Sequence, residues 1–95
     1  MPLFVLHCVD KPNALDVRMG AREAHLAYVG GRRDILKLGG PMLDADGGMA
    51  GSLLIIDVAD KAAAEAFSAD DPYTKAGLWD RVEIKRFRST LGQQL

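Results

Sequence analysis

A single cysteine, Cys8, stands among the 95 residues. It can close no internal disulfide and, without companion thiols, supplies no zinc cage, so a reducing cytoplasmic setting fits the chain. Its neighbours Leu6 and Val9 are apolar and nothing adjacent would activate it, so the thiol reads as inert packing in a strand. Neither sign of charge dominates: 12 Lys and Arg against 13 Asp and Glu leave a net charge of −1. With no positive field to attract phosphate backbones or anionic lipid, nucleic acid is excluded as the main partner. No apolar run approaches the roughly 20 residues that span a bilayer, so no membrane partner is expected. Residues 3–6 are too short for the core of a secretory leader and no basic stretch precedes them. Metal-site spacings of Cys, His and carboxylates are missing as well. Gly39-Gly40-Pro41 is not followed by the Gly-Lys-Ser/Thr of a phosphate loop. Asp44-Ala45-Asp46-Gly47-Gly48 lacks the third acidic position and closing Glu of a calcium loop and reads as a hairpin loop. No metal or other cofactor is expected.

What is present is an ordinary globular mixture, 48% hydrophobic and 26% charged, in one small domain over residues 1–95. A chain of this size buries only about 60 to 70% of its unfolded surface. Hollowing out a ligand pocket of about 300 Å³ or more would consume much of its core. A second subunit is therefore expected to help form any deep site.

Residues 3–9 are nearly all apolar on both alternating faces and end at Asp10-Lys11-Pro12-Asn13, which predicts a strand covered on both sides. Residues 15–29 repeat Leu15, Met19, Leu26 and Val29 at helical spacing, with Asn13 or Asp16 available as cap and Gly30-Gly31 as stop. A short strand is expected over 34–38, closed by Gly39-Gly40-Pro41, and a loop over 42–50. Residues 51–58, apolar on both faces, predict another strand. Asp60 caps an alanine-rich helix over 61–69, and Asp71-Pro72 opens a helical turn toward Leu78. Residues 81–87 alternate, with Val82 and Ile84 on one face and Arg81, Glu83 and Lys85 on the other. The order strand, helix, strand, strand, helix, strand is the ferredoxin-like α+β pattern, a four-stranded antiparallel sheet with helices on one face. Two helices cover one face only, so the two-faced strands call for a second copy of the chain packed sheet to sheet.

The residues suited to proton transfer near neutral pH are His7 and His25. His25 falls at the margin of the helical apolar stripe, either as a boundary histidine bonded locally or as a ring turned into a covered interface. Arg22 falls inside that stripe, and a buried guanidinium needs a partner, either a structural carboxylate or the anionic oxygen of a bound substrate. Arg18 lies nearer the edge and is expected to be solvated. Asp71 before Pro72 is a capping arrangement, and its carboxylate could also orient an imidazole, the two roles falling on different oxygens. Asp70 could share or replace it. His7, on the two-faced strand, reads first as an interior histidine, and Tyr28, Tyr73 and Trp79 as core or interface aromatics.

Several pieces in order, Arg22-Glu23-Ala24-His25-Leu26, Gly40-Pro41, Gly51-Ser52 and Asp70-Asp71-Pro72-Tyr73-Thr74-Lys75-Ala76-Gly77-Leu78-Trp79, resemble the YciI-like (YCII-related) family nearly end to end. The resemblance implies a dimeric α/β barrel of ferredoxin-like protomers and a His and Asp active-site pair at positions matching His25 and Asp71. The family's Arg-Pro-x-His run has Glu23 in place of Pro here, with the matched Arg and His intact. Substrate contacts are expected from Arg22, Arg18, His7, Pro41, Ser52 and Tyr73. The best-defined activity in the family is dehydrochlorination of a chlorinated hydroxyhydroquinone. The resemblance thus implies a cofactor-independent lyase or isomerase acting on a small phenolic or quinoid molecule. The alternative is a noncatalytic ligand-binding or assembly module, in which His25, Arg22 and Asp71 form a structural network at a homodimer interface.

Overall fold

A computed structural model describes residues 2–95. The elements in chain order are β1 (Leu3–Asp10), α1 (Leu15–Gly30), β2 (Leu36–Leu43), β3 (Met49–Asp57), α2 (Lys61–Ala69), α3 (Pro72–Lys75) and β4 (Trp79–Phe87). The strands form one antiparallel sheet in the order β2-β3-β1-β4, so the two most apolar strands lie at its centre. This is the ferredoxin-like α+β fold that the element order predicts.

Register follows from which residues must leave water. Phe4, Leu6 and Cys8 of β1 and Leu54 and Ile56 of β3 turn to the helices, where Val29 of α1 and Phe67 of α2 complete the core. Leu6 and Ile56 are 1% and 0% exposed, and burying each of these side chains contributes about 1.5–3 kcal/mol. A one-residue slip would exchange this set with the opposite face, so the pairing of Leu6 with Leu54 and Ile84 is strongly specified. On the opposite face Val5, His7, Val9 and Leu53 are only partly covered, and Leu38 is exposed.

The second strand is longer than its sequence predicts. β2 runs through Gly39-Gly40-Pro41, which were expected to close it, and pairs Pro41 with Ser52. It is an edge strand, where alternate backbone groups face solvent and a missing N–H or side chain is tolerated. A Cβ at Gly39 would sit 2.6 Å from Leu54 Cδ2, so a side chain there would require the end of Leu54 to move. The 44–48 segment is a hairpin turn, with Asp44 accepting from the backbone N–H groups of Asp46 and Gly48.

α1 departs furthest from expectation. The stripe of Leu15, Met19 and Leu26 lies outside, at 52%, 52% and 49% exposure, and the buried residues are Arg18, His25 and Val29. Arg22, placed in the stripe by its spacing, is exposed, whereas Arg18, placed at the solvated edge, is 2% exposed. The reason is that Asp10 and Asp71 meet Arg18 and His25 on the inner face, and polar groups so paired can be buried. Neither expected cap operates. Asn13 takes a left-handed φ of 57°, and Ala14 opens the helix without a side-chain bond. Asp16 lies in the first turn, where its charge complements the helix dipole.

Candidate active site

The site begins at the short third helix. Asp71 is its N-cap and Pro72 its first residue, where a missing N–H costs nothing. Asp71 Oδ1 accepts from the Tyr73 N–H at 2.9 Å, and the same oxygen lies 2.8 Å from His25 Nδ1. Capping and imidazole contact therefore coexist, on one oxygen rather than two. Asp70 closes α2 as an exposed C-cap, so the carboxylate on His25 is that of Asp71. The His25 and Asp71 side chains are 8% and 4% exposed. A carboxylate accepting at Nδ1 assigns the proton of neutral His25 to that nitrogen and leaves Nε2 with its lone pair free. No described residue bonds to Nε2.

The ring's orientation is fixed from the side as well. His25 stacks on Tyr73 with centroids 3.9 Å apart and planes 13° from parallel. Tyr73, itself 1% exposed, meets the edge of Trp79 at 5.5 Å, and its own face lies 4.7 Å from the Arg18 guanidinium. Trp79 Nε1 donates to Thr74 Oγ1, which in turn donates to the Ser68 carbonyl, tying α3 to the end of α2.

Arg18 is tied to the sheet through Nε and Nη2. Its Nε and Nη2 donate to the two oxygens of Asp10 at 2.8 and 2.9 Å, and Nη2 also donates to Ser52 Oγ at 3.0 Å. Burial opposes the charge, but the Asp10 hydrogen bonds and charge outweigh it and hold the guanidinium above its ordinary pKa. Burial likewise raises the Tyr73 phenol against the pull of Arg18 and Arg22, so it remains a neutral O–H. Cys8, on the same face of β1, is pushed up to about 12 by burial and the Asp71 charge, and is a thiol at any physiological pH.

Arg18, Ser52, Tyr73 and His25 border a pocket of about 180 Å³ between α1 and the β2–β3 hairpin. That is close to the roughly 150 Å³ that accommodates one benzene ring. His25, Tyr73, Arg18 and Ser52 line its inner end, and the exposed Arg22, Leu26, Gly40 and Pro41 its mouth. Of the residues nominated by sequence, His25, Arg18, Arg22, Pro41, Ser52 and Tyr73 share this pocket, and Asp71 stands behind it on His25. His7 does not join them. It points to the other face of the sheet, beside Leu53 and Glu83, because strand periodicity separates it from Leu6 and Cys8. Of the two pocket arginines only Arg22 keeps its charge unpaired, since Asp10 neutralises Arg18 and Arg22 forms no hydrogen bond or ion pair with a described residue.

Asp10 was missed by the sequence reading, which assigned it to a turn. Two signals pointed to it: its even-numbered place on the face of Leu6 and Cys8, and an arginine on the next helix in need of a carboxylate. A bulge where Asp10 pairs with Trp79 brings both side chains beside Arg18. Among the described residues no group of three or more His, Cys, Asp or Glu side chains could hold a metal ion, and no helix is long and apolar enough to cross a membrane.

Fold and pocket together define a ferredoxin-like α+β domain with a cavity about the size of one ring. The chain belongs to the YCII-related domain family, whose model matches residues 2–88. It is 34% identical over 94 residues to protein YciI of Escherichia coli O6:H1, a match covering 90% of this chain and 96% of that protein. Among solved structures it is similar to 5-chloro-2-hydroxyhydroquinone dehydrochlorinase, TftG, from Burkholderia phenoliruptrix, in complex with 2,5-dihydroxybenzoquinone. That similarity has a TM-score of 0.87 and 34% identity over 93% of this chain and 95% of the other. An antibiotic biosynthesis monooxygenase, 14% identical at a TM-score of 0.56 over 96% of this chain and 100% of its own, shares the fold alone.

Proposed function

We propose that the protein is an acid/base enzyme of lyase or isomerase type that acts on a small phenolic or quinoid ring without a bound cofactor. The observation that carries this reading is the 2.8 Å bond from Asp71 to His25 Nδ1, which leaves Nε2 as a free base beside a pocket the size of one ring. The TftG likeness supports dehydrochlorination of a chlorinated hydroxyhydroquinone as the concrete form of the reaction. His25 Nε2 takes the proton of a ring hydroxyl, the oxygen's electron pair closes a carbonyl, and the ring carbon bearing chlorine takes up a proton. A second hydroxyl then gives up its proton as electrons move through the ring, and the C–Cl bond breaks to release chloride. The sum is loss of HCl to leave a hydroxyquinone, and no outside oxidant or reductant is consumed. Asp71 stabilises the imidazolium that forms at each proton transfer. Arg22, at the pocket mouth with its charge unspent, stabilises the developing ring oxyanion.

The working unit is a homodimer. On the sheet face away from the helices, Val5, Leu53 and Leu38 form an incompletely covered apolar stretch beside the charged Glu83 and Lys85 of β4, and an apolar stretch of sheet is normally buried.

The test is chloride release from 5-chloro-2-hydroxyhydroquinone by the purified protein and by His25→Gln. Removal of a general base lowers turnover by about 10²- to 10⁴-fold. Turnover by His25→Gln equal to the unsubstituted protein removes His25 from the chemistry. If no substituted hydroquinone is turned over while the dimer loses stability on His25 substitution, the network is structural and the assembly reading takes its place.

A further inference from the structure

Arg18 has the chemistry of a substrate anion ligand and the geometry of something else. Its planar fork is closed on both oxygens of Asp10, and the Nη2 that completes the fork also serves Ser52. At 2% exposure it has little surface to offer a ligand. Its Cζ lies over the Tyr73 ring, 4.7 Å from the centroid, and on Tyr73 lies the imidazole of His25. Arg18, Tyr73 and His25 thus belong to one run of contacts anchored at Asp10, on the opposite side of the sheet from His7.

We infer that Asp10 and Arg18 are positioning residues for His25. The Asp10 carboxylate holds the guanidinium over the Tyr73 ring, Tyr73 holds the imidazole plane, and Asp71 sets which nitrogen carries the proton. An imidazole held by a single hydrogen bond can still rotate about it. A ring held by that bond and by a stacked neighbour cannot, and Nε2 then keeps one direction into the pocket. Bulk and charge at position 18 do not suffice, because only the guanidinium can be forked on both Asp10 oxygens while it lies over the aromatic ring. The inference rests on the reading of His25 as the base, but its main readout does not require turnover.

The experiment is ¹⁵N-histidine NMR of the full chain, with His7 on the far face as internal reference. In the unsubstituted protein His25 is expected to show one tautomer, protonated at Nδ1. In Arg18→Lys and Asp10→Asn its ring resonances should shift toward the averaged pattern of a mobile imidazole while His7 does not move. Turnover should fall about 10- to 100-fold in kcat, the effect of a misplaced catalytic group, with KM changed less than about twofold. A raised KM with an unmoved His25 spectrum would make Arg18 a substrate ligand and overturn the inference. Breaking a buried ion pair can unfold a chain of this size, so Tyr73→Phe and Tyr73→Leu provide a second test. Phe keeps the stacking face and should keep the His25 pattern, Leu should lose it, and an identical pattern in both overturns the inference. A well-defined His25 tautomer that responds to these substitutions, in a protein that turns over no hydroquinone, would leave the positioning intact and refute the proposed activity instead.

Discussion

Substitution of Asp71 by Asn separates its two roles, because both fall on one oxygen. In the native protein Oδ1 accepts from Tyr73 N–H at 2.9 Å and from His25 Nδ1 at 2.8 Å. Asn offers an amide oxygen in the same place and caps helices as well as Asp does. The Tyr73 N–H, with no other acceptor, keeps that oxygen turned inward. Asp71→Asn should therefore cost less than about 1 kcal/mol, within the few tenths separating good caps and one weakened charge-assisted bond. Asp71→Ala loses the cap, about 1 kcal/mol, and leaves a buried Nδ1–H without an acceptor, a further 1–3 kcal/mol or so, for a total of about 2–4 kcal/mol. Activity should not follow stability. Asn removes the charge that stabilises the imidazolium, and turnover should fall on the order of 10²-fold if the oxygen stays on Nδ1. A flipped amide, which imposes the wrong tautomer, would lower it on the order of 10⁴-fold. Urea unfolding followed by the fluorescence of Trp79, the single tryptophan, reads the first quantity, and a chloride electrode reads the second. Native turnover in Asp71→Asn, or destabilisation of Asn equal to that of Ala, would refute the account.

Two further outcomes follow from burial and exposure. Cys8 is raised from 9.0 to about 12 in the folded chain, so the unfolded chain releases this proton first. The stability it contributes is complete below pH 9 and is lost progressively as pH rises toward 12, at up to about 1.4 kcal/mol per pH unit. Cys8→Ala should flatten the alkaline limb of the stability curve at a small cavity cost, and native protein at pH 8 should resist thiol reagents until it unfolds. Leu38 is 52% exposed on the uncovered sheet face and Leu26 49% exposed on α1. Leu38→Glu should shift the mass in sedimentation equilibrium from dimer to monomer, whereas Leu26→Ala should leave it unchanged. A Leu38→Glu protein that stays dimeric would place the interface elsewhere.

Much of the fold is legible in the residues because its signals are local. The two-faced runs around Leu6 and Ile55 can only be central strands, Asp60 caps α2 through Ala63 N, and Asp71-Pro72 opens α3, as their sequence implies. The extent of β2 was not legible, because Gly39-Gly40-Pro41 breaks a central strand but is tolerated in an edge one, and edge position is a property of the assembled sheet.

For the site, the sequence by itself determined the chemical inventory. His25 and Asp71 stand out by residue type, by the capping position before a proline and by likeness to a family, and the structure brings them within 2.8 Å. Only tertiary structure decided which face of α1 is inside. Counting apolar side chains at helical spacing favours Leu15, Met19 and Leu26, because the count prices a buried arginine or histidine as a loss. That price depends on a partner. Asp10 is eight positions before Arg18 and Asp71 is 46 positions after His25, separations that no helical periodicity can register. Once the sheet and α3 bring those carboxylates to the inner face, the polar side of the helix is the side that can be buried. The leucines are left at the pocket mouth and on the surface, and the arginine taken for solvated becomes the buried one.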